Sequence, residues 1–133
     1  RIQVIKGWVD EAGNTHQAIY DIAGDPDNGA SVDPRSCAVS GSGFKQLCTR
    51  WQDPEFDPGT PAVYYLRVLE NPSCRWSHYD CRALPEQDRP AACSDSDLPW
   101  QIQERAWTSP IWYQPGARIS NVTSTPPNRR MIC

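Results

Sequence analysis

The run Ala62-Val63-Tyr64-Tyr65-Leu66-Arg67-Val68-Leu69, set between Pro61 and Asn71-Pro72, restricts the fold more than any other part of the chain. Its β-branched and aromatic residues and its length predict a strand. Side chains alternate across a sheet, so Tyr64, Leu66 and Val68 share one face and Val63, Tyr65, Arg67 and Leu69 the other. Both faces are mostly apolar, which places the strand in the middle of a sheet, covered on two sides. Pro72 has no amide hydrogen to give to a ladder and ends the pairing. Ser73 to Cys81 is then expected as a cysteine-bearing loop at the strand's exit.

The partners of this strand are read from the same alternation. Arg1 to Asp10 predicts a strand with Ile2, Val4 and Trp8 on one face and Ile5 and Val9 on the other. His16 to Ala23 predicts its hairpin mate, with Gly13-Asn14 supplying the positive-φ positions of the turn. Trp100 to Trp107 alternates, and Ile111-Trp112-Tyr113 is a short aromatic segment between Pro110 and Pro115. Gly24 to Gly43, Trp51 to Gly59 and Arg82 to Pro99 read as loops, the second pinned to the central strand by Phe56. With 13 prolines and 8 glycines, long helices are not expected, and six tryptophans with five tyrosines predict an aromatic core. The fold class is all-β, a small antiparallel sheet or sandwich with long loops. Residues 1–115 form the β-rich module and 116–133 an extended tail. A chain that enters a strand at its first residue is expected to be a processed or truncated product.

Six cysteines, Cys37, Cys48, Cys74, Cys81, Cys93 and Cys133, form an even set without any C-x-x-C pair, and only His16 and His78 accompany them. Disulfides in an oxidising compartment, extracellular or periplasmic, follow more readily than zinc ligation. Cys37 is expected to pair with Cys48 across a Gly/Ser-rich loop; several connectivities remain open for the other four, of which Cys81 with Cys93 and Cys74 with Cys133 is favoured. The sequon Asn121-Val122-Thr123 marks Asn121 as a candidate glycosylation site. A net charge of −3 with interspersed signs gives no basic block for nucleic acid, and no apolar run approaches a membrane span.

Catalytic constellations are not legible. Neither histidine lies in a nucleophile motif. Asp25-Pro26-Asp27-Asn28-Gly29 is out of register with a calcium loop and has no closing glutamate, and Gly41-Ser42-Gly43 lacks the Lys-Ser/Thr of a phosphate loop. The charged residues in apolar context are Arg67, Glu70, Arg75, Glu104 and Arg105. They are expected to pair with one another and fasten the strand bearing Trp100 and Trp107 to the loop at Trp76. The sharper reading makes them an aromatic pocket for an anionic group.

Four blocks, RIQVIKGWVD from Arg1, WQDPEFDP from Trp51, AVYYLRVLENPSCRW from Ala62 and IQERAWTSPIWY from Ile102, resemble in the same order the C-terminal part of a bacterial and marine-microbial family. That family is domain of unknown function 3604. The resemblance spans the chain to about Tyr113. It implies a longer, exported parent with a metal-dependent hydrolase domain akin to the polymerase-and-histidinol-phosphatase superfamily, its histidine and aspartate ligands lying upstream. It also implies local bridges among Cys74, Cys81 and the region of Cys93.

Three functions follow as expectations. The first is a non-catalytic structural, assembly or interaction module that needs no cofactor. Its partners would be other copies of itself or the rest of its parent, joined through an open edge of the Arg1–Asp10 strand into an oligomer or fibre. The second is the C-terminal portion of the hydrolase, contributing walls or a lid. The third is a carbohydrate-binding module, which requires at least two solvent-facing tryptophans on one surface.

Overall fold

A computed structural model describes residues 1–116 of the chain. The described part is β-dominated and antiparallel, and it divides into two compact units. Of the described residues, the first unit holds 1–26, 44–68 and 106–116; the second holds 27–43 and 69–105.

The first unit is built on a sheet of β1 (Ile2–Val9), β2 (Thr15–Ala23), β5 (Ala62–Leu69), β8 (Arg105–Trp107) and β9 (Ile111–Tyr113). The order is β2-β1-β5-β8, and β9 also pairs with β5. β1 and β2 form the expected hairpin, with Val4 opposite Tyr20 and Lys6 opposite Ala18. The return is made by Gly13 at φ 85°, and Asp10 Oδ1 accepts the Asn14 N–H at 2.8 Å. A one-residue shift between Ile2 and Gln3 leaves Ile22 of β2 without an opposite number, a bulge near the strand's end. β5 is central, as its two apolar faces require, with Ile5 opposite Tyr65 on one side and Val63 opposite Trp112 on the other.

β1 is central too. It pairs with β2 and β5, and Ile2, Gln3, Val4, Ile5 and Lys6 are all buried. This corrects the expectation that Arg1–Asp10 presents an open edge. The chain leaves β2 at residue 24 and returns as β5 along the other edge of β1, which places β1 between them. Among the described residues the buried hydrophobics of this unit are Ile2, Val4, Ile5 and Ala62, aliphatic where an aromatic core was expected. Trp107 and Trp112 are 59% and 70% exposed.

The second unit is small and cross-linked. β3 (Ser31–Val32) and β4 (Val39–Ser40) make a short hairpin inside the segment expected to be loop throughout. β6 (Ser73–Cys74) pairs with β7 (Gln101–Ile102), and α1 (Trp76–Ala83) follows where a loop was expected. The expected strand from Trp100 to Trp107 is thus two short pieces, β7 and β8. Two 3₁₀ turns, Glu86–Asp88 and Ala91–Ser94, fill the polar segment.

The disulfides explain this compactness. Cys37 bonds Cys74 and Cys81 bonds Cys93. The second pair is as expected; Cys37–Cys48 and Cys74–Cys133 are not, since Cys37 and Cys74 take each other. The reason lies in the β3–β4 turn. Asp33 Oδ1 accepts the N–H groups of Arg35 at 2.9 Å and Ser36 at 2.6 Å, and the Cys37 N–H donates to Asp33 O at 2.8 Å. Cys37 is thereby held at φ 55°, a left-handed conformation uncommon for a residue with a Cβ. The turn sets Cys37 beside β6, where Val32, Cys37 and Cys74 form a buried cluster with Trp100 packed on it. No cysteine among the described residues is free, Cys48 included. Cys133, Asn121 and the proposed tail beyond residue 116 lie outside the described residues.

Candidate functional site

Lys6 sits between Val4 and Trp8 on β1, and the alternation puts all three on one face. The segment after Trp51 lies over this face. Lys6 Nζ meets Asp53 Oδ2 at 2.6 Å and donates to Glu55 O at 2.8 Å. Tyr64 of β5, opposite Lys6 in the ladder, donates its hydroxyl to the same Asp53 Oδ2 at 2.7 Å. The Glu55 N–H donates to Asp53 Oδ1 at 2.9 Å, and the Tyr20 hydroxyl to Glu55 Oε2 at 3.1 Å. The ammonium lies 5.1 Å from the centre of the Trp8 ring and 5.9 Å from that of Tyr64, where the ring faces attract a cation. Trp51 packs on Tyr20 and Tyr64, with centroids 5.1 and 6.3 Å away.

These contacts set the ionisation of the site. Burial alone would push Asp53 upward, but hydrogen bonds from Lys6, Tyr64 and the Glu55 N–H outweigh it and hold the carboxyl below its ordinary value. Tyr64 is pushed above the usual phenol range, first by burial and then by its bond to the Asp53 carboxylate. Tyr20 is raised for the same kinds of reason, burial first and Glu55 second. A small cavity of about 130 Å³ remains beside the lysine, lined by Trp8, Glu55, Asp57 and Thr60 among others. Asp57 is committed to its own turn, accepting from Gly59 N–H at 2.8 Å and Thr60 Oγ1 at 2.7 Å.

Next to this buried network lies an open groove of about 420 Å³, walled by Trp8, Val9, Val63 and Trp112, with His16 at its rim. His16 stacks on Trp8, centroids 5.2 Å apart, and its Nε2 lies 2.8 Å from Asp10 Oδ2. Bonds from His16 and Asn14 hold the Asp10 carboxyl far below its ordinary value. A second groove of similar volume runs past Trp51, Phe56 and Ile111. Phe56 meets Tyr113 edge-on at 4.9 Å. The 51–59 loop is therefore pinned to the sheet by Lys6 and Tyr64, with Phe56 against β9 instead of the central strand.

The sequence-selected charges do not gather. Arg67 gives Nε and Nη2 to Gln3 Oε1 at 2.9 and 2.6 Å, and Gln3 passes the chain on through Nε2 to Asp21 Oδ1 at 3.0 Å. This relay ties three strands on the face opposite Lys6. In the second unit Glu70 and Glu104 meet only through their backbones, N–H to O at 3.0 Å, and Arg75 N–H bonds Trp100 O at 2.9 Å. None of Arg67, Glu70, Arg75, Glu104 and Arg105 forms an ion pair among the described residues; the pairs are Arg1–Asp21, Lys6–Asp53 and Asp10–His16. Trp76 is 78% exposed on α1. His78 bonds Pro34 O at 2.9 Å and packs on Trp100. Its ring lies within 4.8 Å of the Cys37 and Cys74 sulfurs, but these are bonded to each other and offer no thiolate to a metal.

Sequence reasoning missed Lys6, Asp53 and Glu55. The signal was a lysine at an inward position of an otherwise apolar alternation, which calls for a buried carboxylate partner.

Against known proteins, residues 1–115 match the family described as "Protein of unknown function (DUF3604)". The chain belongs to this family. The four blocks behind the resemblance supply β1, residues 51–58, β5 through β6, and the chain from Ile102 of β7 through β9, and the DUF3604 match over residues 1–115 takes in every described strand. No curated protein and no solved structure matches the chain.

Proposed function

We propose that this DUF3604 chain is a non-catalytic, disulfide-stabilised interaction module of an exported protein. The observation that carries this reading is the use made of its reactive side chains. Lys6, Asp53 and Tyr64 satisfy one another in a nearly closed network that fastens the 51–59 loop to the sheet, and the exposed His16 is held at the hairpin by Trp8 and by Asp10 on Nε2, so these side chains are engaged in holding the fold. The two cross-links between described residues fit an oxidising compartment. Purified chain supplied with zinc or manganese is expected to hydrolyse phosphate and carboxylic ester test substrates no faster than buffer. Metal-dependent turnover would overturn the proposal in favour of a hydrolase part.

A second reading has its own observation. Trp112, 70% exposed, forms one wall of the groove whose other wall is Trp8, an arrangement that suits stacking of a sugar ring. It predicts that oligosaccharides quench or shift tryptophan fluorescence in the native chain and not in Trp112→Ala.

A further inference from the structure

Among the described residues the sheet has a long open edge, and it is β2. Three features of this strand favour pairing with another chain. It is nine residues long, it stands last in the sheet order, and it contains neither proline nor lysine, the residues that natural edges use to discourage association. None of its residues from Thr15 to Asp21 gives its outward N–H or C=O to a described residue.

The hydrogen-bond phase tells which groups are open. Asp10 N–H donates to Asn14 O at 3.0 Å, so counting by twos along the ladder, Trp8–His16, Lys6–Ala18 and Val4–Tyr20 are the pairs that exchange bonds. The intervening residues, Thr15, Gln17, Ile19 and Asp21, turn their N–H and C=O away from β1. β5 carries the same phase on the sheet's other side, where Leu66 exchanges bonds with Thr108 at 3.0 and 3.1 Å. Past Asp21 the bulge at Ile22 changes the phase and ends the open row.

We infer that this row pairs with its own copy, antiparallel, about a two-fold axis through Ala18; the inference rests on the interaction-module reading and names the partner. The row is symmetric about Ala18, so Thr15 meets Asp21 of the second copy and Gln17 meets Ile19, each pair exchanging two bonds. Ala18 then meets itself at a non-hydrogen-bonded position, where Cα atoms approach to about 4.5 Å and a small side chain fits. No like charges are opposed. Asp21 Oδ1 accepts from Gln3 Nε2 at 3.0 Å and faces Arg1 Nε at 3.2 Å, and the pairing sets the hydroxyl of Thr15 opposite this carboxylate. Ile19, 47% exposed, gains apolar cover from the stem of Gln17. An axis at Ile19 would instead face Thr15 with Ala23, which the bulge has taken out of phase, and an axis at Asp21 would oppose two carboxylates. A two-fold contact of this kind closes on itself and gives a dimer, not a fibre.

The test uses the whole chain and three variants, with far-UV circular dichroism confirming the fold of each. Sedimentation velocity is expected to show a concentration-dependent dimer. Gln17→Pro deletes one outward N–H without touching the β1 side, and Ile19→Lys places a charge on the edge; each should weaken association by about tenfold or more. Ala18→Cys should cross-link two copies under mild oxidation, because Cα atoms that close fall in disulfide range, whereas Glu11→Cys on the hairpin turn should not. A chain that stays monomeric at millimolar concentration overturns both the inference and self-association. A dimer indifferent to Gln17→Pro and Ile19→Lys, with no cross-link at Ala18→Cys, overturns the edge inference while the interaction-module reading stands.

Discussion

Lys6 occupies a position that its neighbours in sequence would assign to an aliphatic side chain. Its side chain and that of Asp53 are 7% and 6% exposed, so the pair has given up nearly all of its water. Such a pair is a weak source of stability when intact but costly to break, because the partner left behind is a buried charge. Asp53→Ala should destabilise the chain by about 3–5 kcal/mol in denaturant titration. Lys6→Met with Asp53→Leu, which removes both charges, should cost less than Asp53→Ala alone. The pH dependence has a definite sign. A carboxyl held below its ordinary 3.8 binds protons more readily in the unfolded chain, so its contribution is complete above that value and is lost as pH falls through the lower folded value. Wild-type stability should therefore fall on acidification below about pH 4, and Asp53→Asn should show a shallower fall, measured by thermal melts across pH 2 to 6.

The elements divide by how much of their cause is local. β1, β2 and β5 were legible because alternation, a Gly13 turn and a proline stop each act within a few residues. That β1 is central was not legible, since which side a strand turns to its neighbour depends on where the chain returns from residue 24 to residue 62. α1 was hidden by its composition. It buries no residue, and its place after β6 is fixed by backbone bonds such as Arg75 N–H to Trp100 O, partners distant in sequence. The Cys37–Cys74 bond was missed for a like reason, as loop composition suggested the nearer cysteine while the Asp33 turn aims Cys37 elsewhere. In the chain-entropy description this bond, closing a separation of 37 residues, is worth about 4 kcal/mol, and Cys81–Cys93, closing 12, about 3 kcal/mol. Replacing both members of the first pair by alanine should lower the denaturant midpoint more than replacing both of the second. Equal losses would show that native packing around Val32 and Trp100, and not loop closure, sets the cost.

At the scale of the molecule, the Lys6–Asp53 pair is buried against the sheet, and among the described residues the β2 ladder faces outward. Residue-resolved amide exchange on β2 reads that ladder directly. In dilute solution the inward amides of His16, Ala18 and Tyr20 should be protected and the outward amides of Gln17 and Ile19 should exchange quickly. Raising the concentration should protect Gln17 and Ile19 and leave the inward set unchanged. Fast exchange of Gln17 and Ile19 at every concentration would contradict association through this edge.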